Sequence, residues 1–328
     1  MAHRDVVVVG ASAGGVEALR AMAAGLPADL PASVLIVLHM PAAAPSALPQ
    51  ILTRSGPLIA RTAFDGEPLI EGRIYVAPPD QHLLVLDHRV RLSRGPSENG
   101  HRPAIDPLFR SAARAAGARV IAVTLSGSRD DGAVGSEEVA AHGGVVAVQD
   151  PADALNPSMP RAVLARVGAA HVATAADLGK LIGEQTATEV ADQPAPVDVR
   201  LGAEVAIDDF APITTDRLTE TPPVFGCPSC GGGLYELESW PLPRYRCRVG
   251  HAWSPESLLD EQALATEGAL WTALRALEEK AALSRRMATR SPGDAIRFGA
   301  LAEDAEGAAR LIRDLLARLG GSTAAREK

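Results

Sequence analysis

A serine in a glycine-rich turn is the first feature of the sequence that could support covalent chemistry. Ser12 lies within GASAGG at 10–15, directly after an apolar run at 6–9 and before a helical pattern at 16–24. Small neighbours permit a tight turn, and the N–H groups at the start of a helix favour negative charge. These features suit the nucleophile of an acyl transfer, and the turn matches the G-x-S-x-G pattern of a nucleophile elbow.

The same turn has a second interpretation, a loop that binds a dinucleotide or a phosphate. Such a loop calls for G-x-G-x-x-G and an acidic residue about 20 positions on, at the end of the second strand. Here Ser12 stands at the middle glycine, and the second apolar run, 34–38, is followed by His39 instead of an acid. A histidine beside a serine at one sheet edge favours a serine–histidine pair. The phosphate loop stays as the alternative.

A carboxylate that orients the imidazole of His39 would complete a catalytic triad. The apolar run at 120–125 leads into a glycine-flanked turn that contains Asp130 and Asp131. Two adjacent aspartates in such a turn are often only a helix cap. At the carboxyl end of a central strand, however, one of them is well placed to reach His39.

All three cysteines of the chain lie in one segment together with a histidine. Cys227 and Cys230 are followed by sixteen residues, and then by Cys247 and His251. Two such pairs supply four soft or borderline donors, which suits tetrahedral zinc. We predict structural zinc in a zinc-ribbon-like module over 225–253, and no cofactor for catalysis, because four ligands leave no coordination position open. The alternative is a group of reduced, buried cysteines.

The elements that must position these residues alternate over 1–182. Short apolar runs alternate with alanine-rich helical stretches, and the runs lie at 6–9, 34–38, 74–76, 120–125 and 145–148. Continuous apolar strands between helices predict an α/β domain with a doubly wound, mostly parallel, Rossmann-like sheet. Residues 82–86 and 89–92 flank Asp87 and His88 and predict a hairpin at the sheet edge.

The composition changes after residue 182. Segment 183–224 holds nine acidic residues against two arginines, which with its prolines and threonines predicts an acidic linker, with a short strand within 197–207. Residues 254–328 read as a helical hairpin or coiled-coil tail, since apolar residues from Phe298 to Leu319 alternate in steps of three and four.

Bulk composition narrows the classes of function. The net charge is −8, which argues against general nucleic-acid binding. No apolar stretch reaches the roughly 18 residues of a membrane span, and the start of the chain does not resemble a signal peptide. Cysteines confined to one segment indicate metal ligation rather than disulfides. We therefore expect a cytoplasmic protein with no nucleic-acid partner and no membrane insertion.

Six segments, in order, resemble the catalytic domain of CheB-type protein-glutamate methylesterases. They are GASAGG at 10–15, HMP at 39–41, IYVAPPDQHLLV at 74–85, HRPAIDPLFRSAA at 101–113, LSGSRDDGAVG at 125–135 and VQDPADALNPSMPRAV at 148–163. The resemblance implies that Ser12 is the nucleophile, His39 the base and Asp131 the orienting carboxylate. This chain order differs from that of α/β-hydrolases, whose histidine comes last.

The resemblance also indicates residues near the oxyanion hole and the substrate, namely Ala13, Gly14 and Ser128. The family usually carries threonine at the position of Ala13, methionine at that of Ser128 and asparagine at that of Asp130. A charge at Asp130 leaves the choice between the two aspartates open. Family members in chemotaxis usually carry an N-terminal receiver domain, and because this chain starts at the catalytic domain, control by phosphorylation in cis is not expected.

The implied reaction is hydrolysis of glutamate γ-methyl esters on chemoreceptors through an acyl-enzyme, with deamidation of glutamine as a further reaction. The implied partners are the cytoplasmic helices of methylated chemoreceptors, and a signalling protein at the C-terminal module. Two other functions stay open: a non-catalytic scaffold or binding protein, and a small-molecule serine esterase on the same fold.

Overall fold

The computed structural model describes residues 2–43, 46–168, 170–190, 198–212, 223, 225–237 and 243–326. The chain divides into two compact units, Met1–Ser257 and Leu258–Lys328. The strands are β1 (Ala2–His3), β2 (Val6–Ala11), β3 (Ser33–Leu38), β4 (Ile59–Thr62), β5 (Arg73–Val76), β6 (His82–Leu86), β7 (Arg89–Ser93), β8 (Val120–Thr124), β9 (Val145–Gln149), β10 (His171–Ala173), β11 (Glu189–Val190), β12 (Phe225–Gly226), β13 (Gly233–Glu236), β14 (Tyr245–Cys247) and β15 (Ala252–Trp253). The helices are α1 (Gly15–Gly25), α2 (Leu48–Ser55), α3 (Ile105–Ala116), α4 (Ala133–Ala141), α5 (Ser158–Arg166), α6 (Ala175–Thr186), α7 (Val199–Asp208), α8 (Pro255–Arg290) and α9 (Ala295–Arg326).

A parallel sheet is the centre of the first unit. Among the described residues it has seven strands in the order β10-β9-β8-β2-β3-β5-β4, and each neighbouring pair is parallel. The predicted α/β fold with a mostly parallel sheet is confirmed. The chain leaves the central strand β2 toward β3 on one side and later returns to β8 on the other. Open α/β sheets bind ligands at the carboxyl ends of the strands where the order reverses in this way.

Both faces of this sheet are buried, which explains its continuous apolar strands. Side chains alternate between the faces along a strand. Val8 of β2 packs on one face in a cluster with Phe109 of α3, while Val9 packs on the other in a cluster with Leu19 and Met22 of α1. A polar residue at any of these strand positions would lie in a core, so the valine run of β2 is a requirement of the fold.

The predicted hairpin forms, but its predicted position at the sheet edge is wrong. Strands β6 and β7 form a separate two-stranded antiparallel sheet, and an isolated bridge joins Arg89 of β7 to Pro68. The apolar face of the hairpin is buried against α3 in the same cluster as Leu108, and Val85 N donates to Ser111 Oγ of α3 at 3.0 Å. The hairpin buries its apolar face against α3 and not against the main sheet. The edge strands of the main sheet are β4 and β10.

The prediction of a linker over 183–224 is wrong for 198–212, and residues 191–197 and 213–222 lie outside the described part of the chain. The expected strand within 197–207 is the helix α7, whose Leu201 and Val205 are buried in the core. The sequence did not show an apolar helical face here, because two of the buried positions on that face are the acidic residues Glu204 and Asp208. Buried arginines neutralise both carboxylates.

Residues 225–257, called here the cysteine segment, belong to the first unit. In the described residues, strands β12, β13, β14 and β15 form an antiparallel sheet in chain order. The first compact unit therefore extends to Ser257, past the predicted boundaries at 183, 225 and 254. Trp253, at the end of this sheet, is fully buried.

The second unit contains most of α8 and all of α9. A short 3-10 turn, Pro292–Asp294, separates the two helices. Within this unit, Leu274 of α8 and Ala309 and Leu316 of α9 form a buried cluster. An ion pair between Arg285 and Glu306 also joins the two helices. In the described part of the chain, no helix is both long and apolar enough to cross a membrane.

Candidate active site

The turn that carries Ser12 follows the central strand β2. Ser12 N donates to the carbonyl of Ser126 at 2.9 Å, which fixes the turn to the loop after β8. Gly14 caps α1 with φ of 71°, and a Cβ there would lie 2.6 Å from Cβ of Leu155. Only glycine combines this left-handed backbone with so close a neighbour. The turn therefore presents Ser12 at the carboxyl edge of the sheet, as the sequence predicted.

The structure brings His39 to Ser12. His39 follows β3, and Leu38 at the end of β3 pairs with Ala11 at the end of β2. Nδ1 of His39 lies 3.2 Å from Oγ of Ser12, and Nε2 lies 2.7 Å from Oδ2 of Asp131. The carboxylate accepts the proton of Nε2, so Nδ1 is the nitrogen left to accept the hydroxyl proton of Ser12.

Asp131 is buried and receives several donors besides His39. The N–H groups of Ile105 and Asp106, in the first turn of α3, donate to its two oxygens at 2.7 and 3.3 Å, and Gly132 N donates at 3.1 Å. Burial alone would raise the pKa of Asp131, but the hydrogen bond and charge of His39, with the N–H of Ile105, lower it. The carboxylate is therefore held ionised at a helix N-terminus, where negative charge is favoured.

Asp130 faces away from His39, toward the cysteine segment. Its Oδ1 accepts hydrogen bonds from the hydroxyls of Ser254 at 2.8 Å and Ser257 at 3.0 Å. Burial raises the pKa of Asp130 above its ordinary value, and the two hydroxyl donors only partly offset this. The geometry thus chooses between the adjacent aspartates: Asp131 is the one that contacts the histidine.

Two loops support the turn around Ser12. Ser126 Oγ donates to the carbonyl of Ala13 at 2.7 Å, and the Nδ2 group of Asn156 donates to Ser128 Oγ at 2.9 Å. A Cβ at Gly127 would lie 2.9 Å from Cβ of Ser12, so the loop after β8 passes directly behind the nucleophile. In the described chain the N–H groups of Ala13 and Gly14 donate to no backbone carbonyl, which leaves both available to an oxyanion.

Sequence reasoning assigned His101 no role, yet its ring stacks on that of His39. The ring centroids are 3.7 Å apart with an interplanar angle of 11°. Burial first, and then the nearby His39, lower the pKa of His101 to about 3, so His101 is neutral at physiological pH. A neutral ring against one face of His39 restricts how that imidazole can turn. The motif HRPAIDPLFRSAA, which begins with His101, was the signal that could have indicated it.

The four predicted metal ligands converge in the cysteine segment. Their donor atoms all lie within 4.8 Å of one another. Nδ1 of His251 is 3.7 Å from Sγ of Cys227 and 3.6 Å from Sγ of Cys247, and Cys230 Sγ is 3.7 Å from Cys247 Sγ. A zinc tetrahedron with Zn–S bonds of about 2.3 Å has S···S edges of about 3.8 Å. The donor set and its spacing fit such an ion.

A serine, a histidine and an aspartate joined by hydrogen bonds at the carboxyl edge of an open parallel α/β sheet define the class of a serine hydrolase. Residues 7–182, more than half of the chain, match the CheB methylesterase family. The chain belongs to the CheB methylesterase family, which confirms the resemblance found in the sequence.

Known relatives match the same half of the chain. A protein-glutamate methylesterase/protein-glutamine glutaminase of Methanosarcina mazei is 38% identical over 171 residues, which are 50% of this chain and 47% of the relative. One from Xanthomonas oryzae pv. oryzae is 41% identical over 170 residues, 51% of this chain and 47% of the relative. The chain spans about half the length of these curated relatives.

A solved structure has the same fold. The crystal structure of the CheB methylesterase catalytic domain of Thermotoga maritima is 32% identical, with a TM-score of 0.53. The alignment covers 97% of that domain and 55% of this chain. The α7 helix and the cysteine segment follow residue 182, where the family match ends.

Proposed function

We propose that this chain is a protein-glutamate methylesterase that hydrolyses glutamate γ-methyl esters on the cytoplasmic helices of chemoreceptors, and that it also deamidates glutamine. The observation that carries the proposal is the hydrogen-bonded series Ser12–His39–Asp131 within a CheB-family domain. Curated relatives about 40% identical are named for both activities. An amide and an ester pass through the same kind of tetrahedral intermediate, so one site can serve both.

The proposed reaction is a two-step acyl transfer. Nδ1 of His39 takes the hydroxyl proton of Ser12, and the serine oxygen attacks the γ-carbonyl of the methylated glutamate. Asp131 stabilises the charged imidazolium, and the N–H groups of Ala13 and Gly14, at the start of α1, stabilise the oxyanion. Methanol leaves with the proton from His39. Water then attacks the acyl-enzyme through the same histidine and releases the free glutamate.

Methanol release from a methylated receptor fragment, measured beside turnover of a small ester, tests this function. The wild-type chain should act on both substrates, and Ser12→Ala on neither, with an unchanged melting temperature because one hydroxyl at the sheet edge is removed. Activity on the small ester alone would favour a small-molecule esterase. Activity on neither substrate would favour the scaffold function.

We also propose that Cys227, Cys230, Cys247 and His251 bind one structural zinc ion. The convergence of four donors at distances close to tetrahedral edges supports this. Zinc bound there would hold the turns of the cysteine segment together and take no part in ester hydrolysis. One equivalent of zinc in the purified protein, lost in His251→Ala, is the expected result. Metal-free wild-type protein with an intact fold would favour the alternative of reduced cysteines.

The helices α8 and α9 are proposed as the docking surface for a signalling protein. Large apolar side chains exposed along them support this, and the most exposed are Leu259, Leu264, Trp271, Leu283, Ile296 and Leu311. A substrate on receptor cytoplasmic helices would place the reaction in the cytoplasm. Cross-linking from a photoreactive residue at Trp271 in cells tests the docking surface, and capture of receptor rather than a separate signalling protein would revise the partner.

A further inference from the structure

Asn99 links the carboxylate of Asp131 to the cysteine segment. Its Nδ2 group donates to Oδ1 of Asp131 at 3.4 Å, and its Oδ1 accepts from the N–H of Ser254 at 2.9 Å. The backbone N–H of Asn99 also donates to the carbonyl of Ala252 at 2.9 Å. The side chain is buried, with 3% of its surface exposed, so water cannot easily replace these bonds.

A second link runs through the neighbouring aspartate. Asp130, one residue before Asp131, is held by the hydroxyls of Ser254 and Ser257. Ser254 thus binds two neighbours of Asp131. Its N–H donates to Asn99, which contacts Asp131, and its hydroxyl donates to Asp130, which precedes Asp131 in sequence. The position of Ser254 consequently affects the backbone and the hydrogen-bond environment of Asp131 together.

Buried ion pairs anchor the cysteine segment at the same place. Arg244 pairs with Glu98, the residue directly before Asn99, and also with Glu204 of α7 at 2.7 Å. Arg246 pairs with Glu204 at 2.7 Å. Charges buried in pairs are costly to separate, so this contact between the cysteine segment and the α/β core is not readily opened.

The proposed metal ligands lie close in sequence to these links. Cys247 ends β14, and His251 directly precedes Ala252 of β15. Cys247 N donates to the carbonyl of His251 at 3.1 Å, which closes the turn between the two ligands. The atoms that bind Asn99 belong to Ala252 and Ser254, so the turn that gathers the ligands also sets the position of those atoms.

We propose that the cysteine segment is a positioning element of the esterase, and that Asn99 is the positioning residue through which it holds Asp131. The proposal rests on the proposed function, in which Asp131 orients His39. In this arrangement Asn99 touches no reacting atom. Together with the N–H groups of Asp106 and Gly132, it donates to the second oxygen of the carboxylate, while the first accepts the proton of His39 Nε2. Loss of the link removes the donor that connects this carboxylate to the cysteine segment. The carboxylate is then held less firmly, and so is the orientation of the imidazole toward Ser12.

Two substitutions in the full chain isolate the Asn99 side chain. Asn99 has φ of 52°, which glycine, asparagine and aspartate accept better than alanine does. Asn99→Gly removes both side-chain bonds. Asn99→Asp keeps the acceptor for Ser254 N but sets a second carboxylate oxygen against Asp131. We expect each change to lower kcat on p-nitrophenyl acetate on the order of 10-fold, with KM nearly unchanged because Asn99 does not contact substrate.

Coupling to the cysteine segment is measured by combining Asn99→Gly with His251→Ala. If His251 acts on the triad through Asn99, the two losses in kcat are not multiplicative, and the double variant resembles the worse single variant. The far-downfield proton NMR signal of His39 Nε2–H, absent in His39→Gln, gives a readout that does not depend on turnover. It should shift or broaden in Asn99→Asp and in His251→Ala.

Arg119→Gln is the control, because Arg119 pairs with Asp5 at 2.6 Å at the opposite, amino edge of the sheet. It should keep wild-type kcat and an unmoved proton signal. Wild-type kcat and an unmoved signal in Asn99→Asp, or multiplicative losses in the double variant, would overturn the proposal while the esterase function stands. Absence of any turnover by the wild-type chain would instead remove the proposed function, and this proposal with it.

Discussion

Oδ2 of Asp131 lies 2.7 Å from Nε2 of His39, and this contact decides which ring nitrogen is free to act as the base. With the proton held on Nε2, Nδ1 faces Ser12 at 3.2 Å. The same carboxylate receives the first N–H groups of α3. The orientation of the imidazole and the start of a core helix therefore depend on one side chain.

The two aspartates should differ sharply in their effect on rate. Asp131→Asn removes the negative charge and replaces one acceptor oxygen with an amide donor, so the histidine tautomer is no longer fixed, and we expect kcat to fall by roughly four orders of magnitude. Asp130→Asn keeps an acceptor for Ser254 and should cost about 10-fold at most. Steady-state turnover of a small ester by both variants measures the difference. A larger loss in Asp130→Asn would contradict the assignment.

His101 should make the protein less stable in acid. Its pKa is about 3 in the folded protein and near 6.5 when unfolded, so the unfolded chain binds more protons between those values. Stability should therefore fall as the pH drops from about 6.5 toward 3. His101→Phe keeps a flat ring against His39 and should flatten this part of the curve. Urea unfolding from pH 7 to 4 measures it.

His171 supplies the matched control, because it is exposed at the edge strand β10. His171→Phe should leave the pH dependence of stability as in the wild type. A wild-type slope in His101→Phe would show that the acid sensitivity arises elsewhere.

Glu204 should contribute stability that persists to low pH. Burial alone would raise the pKa of Glu204, but Arg246 and Arg244 outweigh it and lower the pKa to about 2. The folded pKa lies below the unfolded one, so the contribution is present above about pH 4.5 and is lost as the pH falls toward 2. Glu204→Gln leaves two buried guanidinium groups short of a charge partner and should destabilise the protein by about 3–5 kcal/mol.

Glu137→Gln is the comparison for Glu204→Gln. Glu137 pairs with Arg166 at 3.3 Å in a partly exposed position, and its loss should cost less than about 1 kcal/mol. Denaturant unfolding at pH 7 compares both variants with the wild type. Equal, small losses would mean that the buried network does not stabilise the first unit.

Truncation should show that the first unit extends beyond residue 182, where the match to the CheB methylesterase family ends. A chain ending at Asp260 keeps α7 and the cysteine segment and should remain folded and active on small esters. A chain ending at Gly183 lacks Leu201 and Val205 and exposes the part of the core that they cover, so it should aggregate or lose activity. Circular dichroism and small-ester turnover measure both. Full activity in the shorter chain would make the cysteine segment dispensable and refute this expectation.

The catalytic edge of the fold was predictable because the relevant signals are local. Val6–Ala11 and Ser33–Leu38 are continuous apolar strands, and a serine and a histidine follow them directly. Parallel strands end at the same edge of a sheet, so the meeting of Ser12 and His39 follows from strand order alone. The signal for the metal ligands was also local, since Cys227 and Cys230, and likewise Cys247 and His251, are close enough in sequence to share a turn.

The resemblance implied Asp131, but only the tertiary structure showed which of the two aspartates contacts His39. It alone also decided the docking of the cysteine segment and the nature of 198–212. Adjacent residues point to different neighbours, and no pattern within the chain indicates that α3 lies beside one aspartate and Ser254 beside the other. Likewise Glu204 and Asp208 read as solvated charges until Arg110, Arg244 and Arg246, distant in sequence, are seen to surround them. A buried charge is stable only with its partners, and those partners are set by the fold rather than by sequence neighbours.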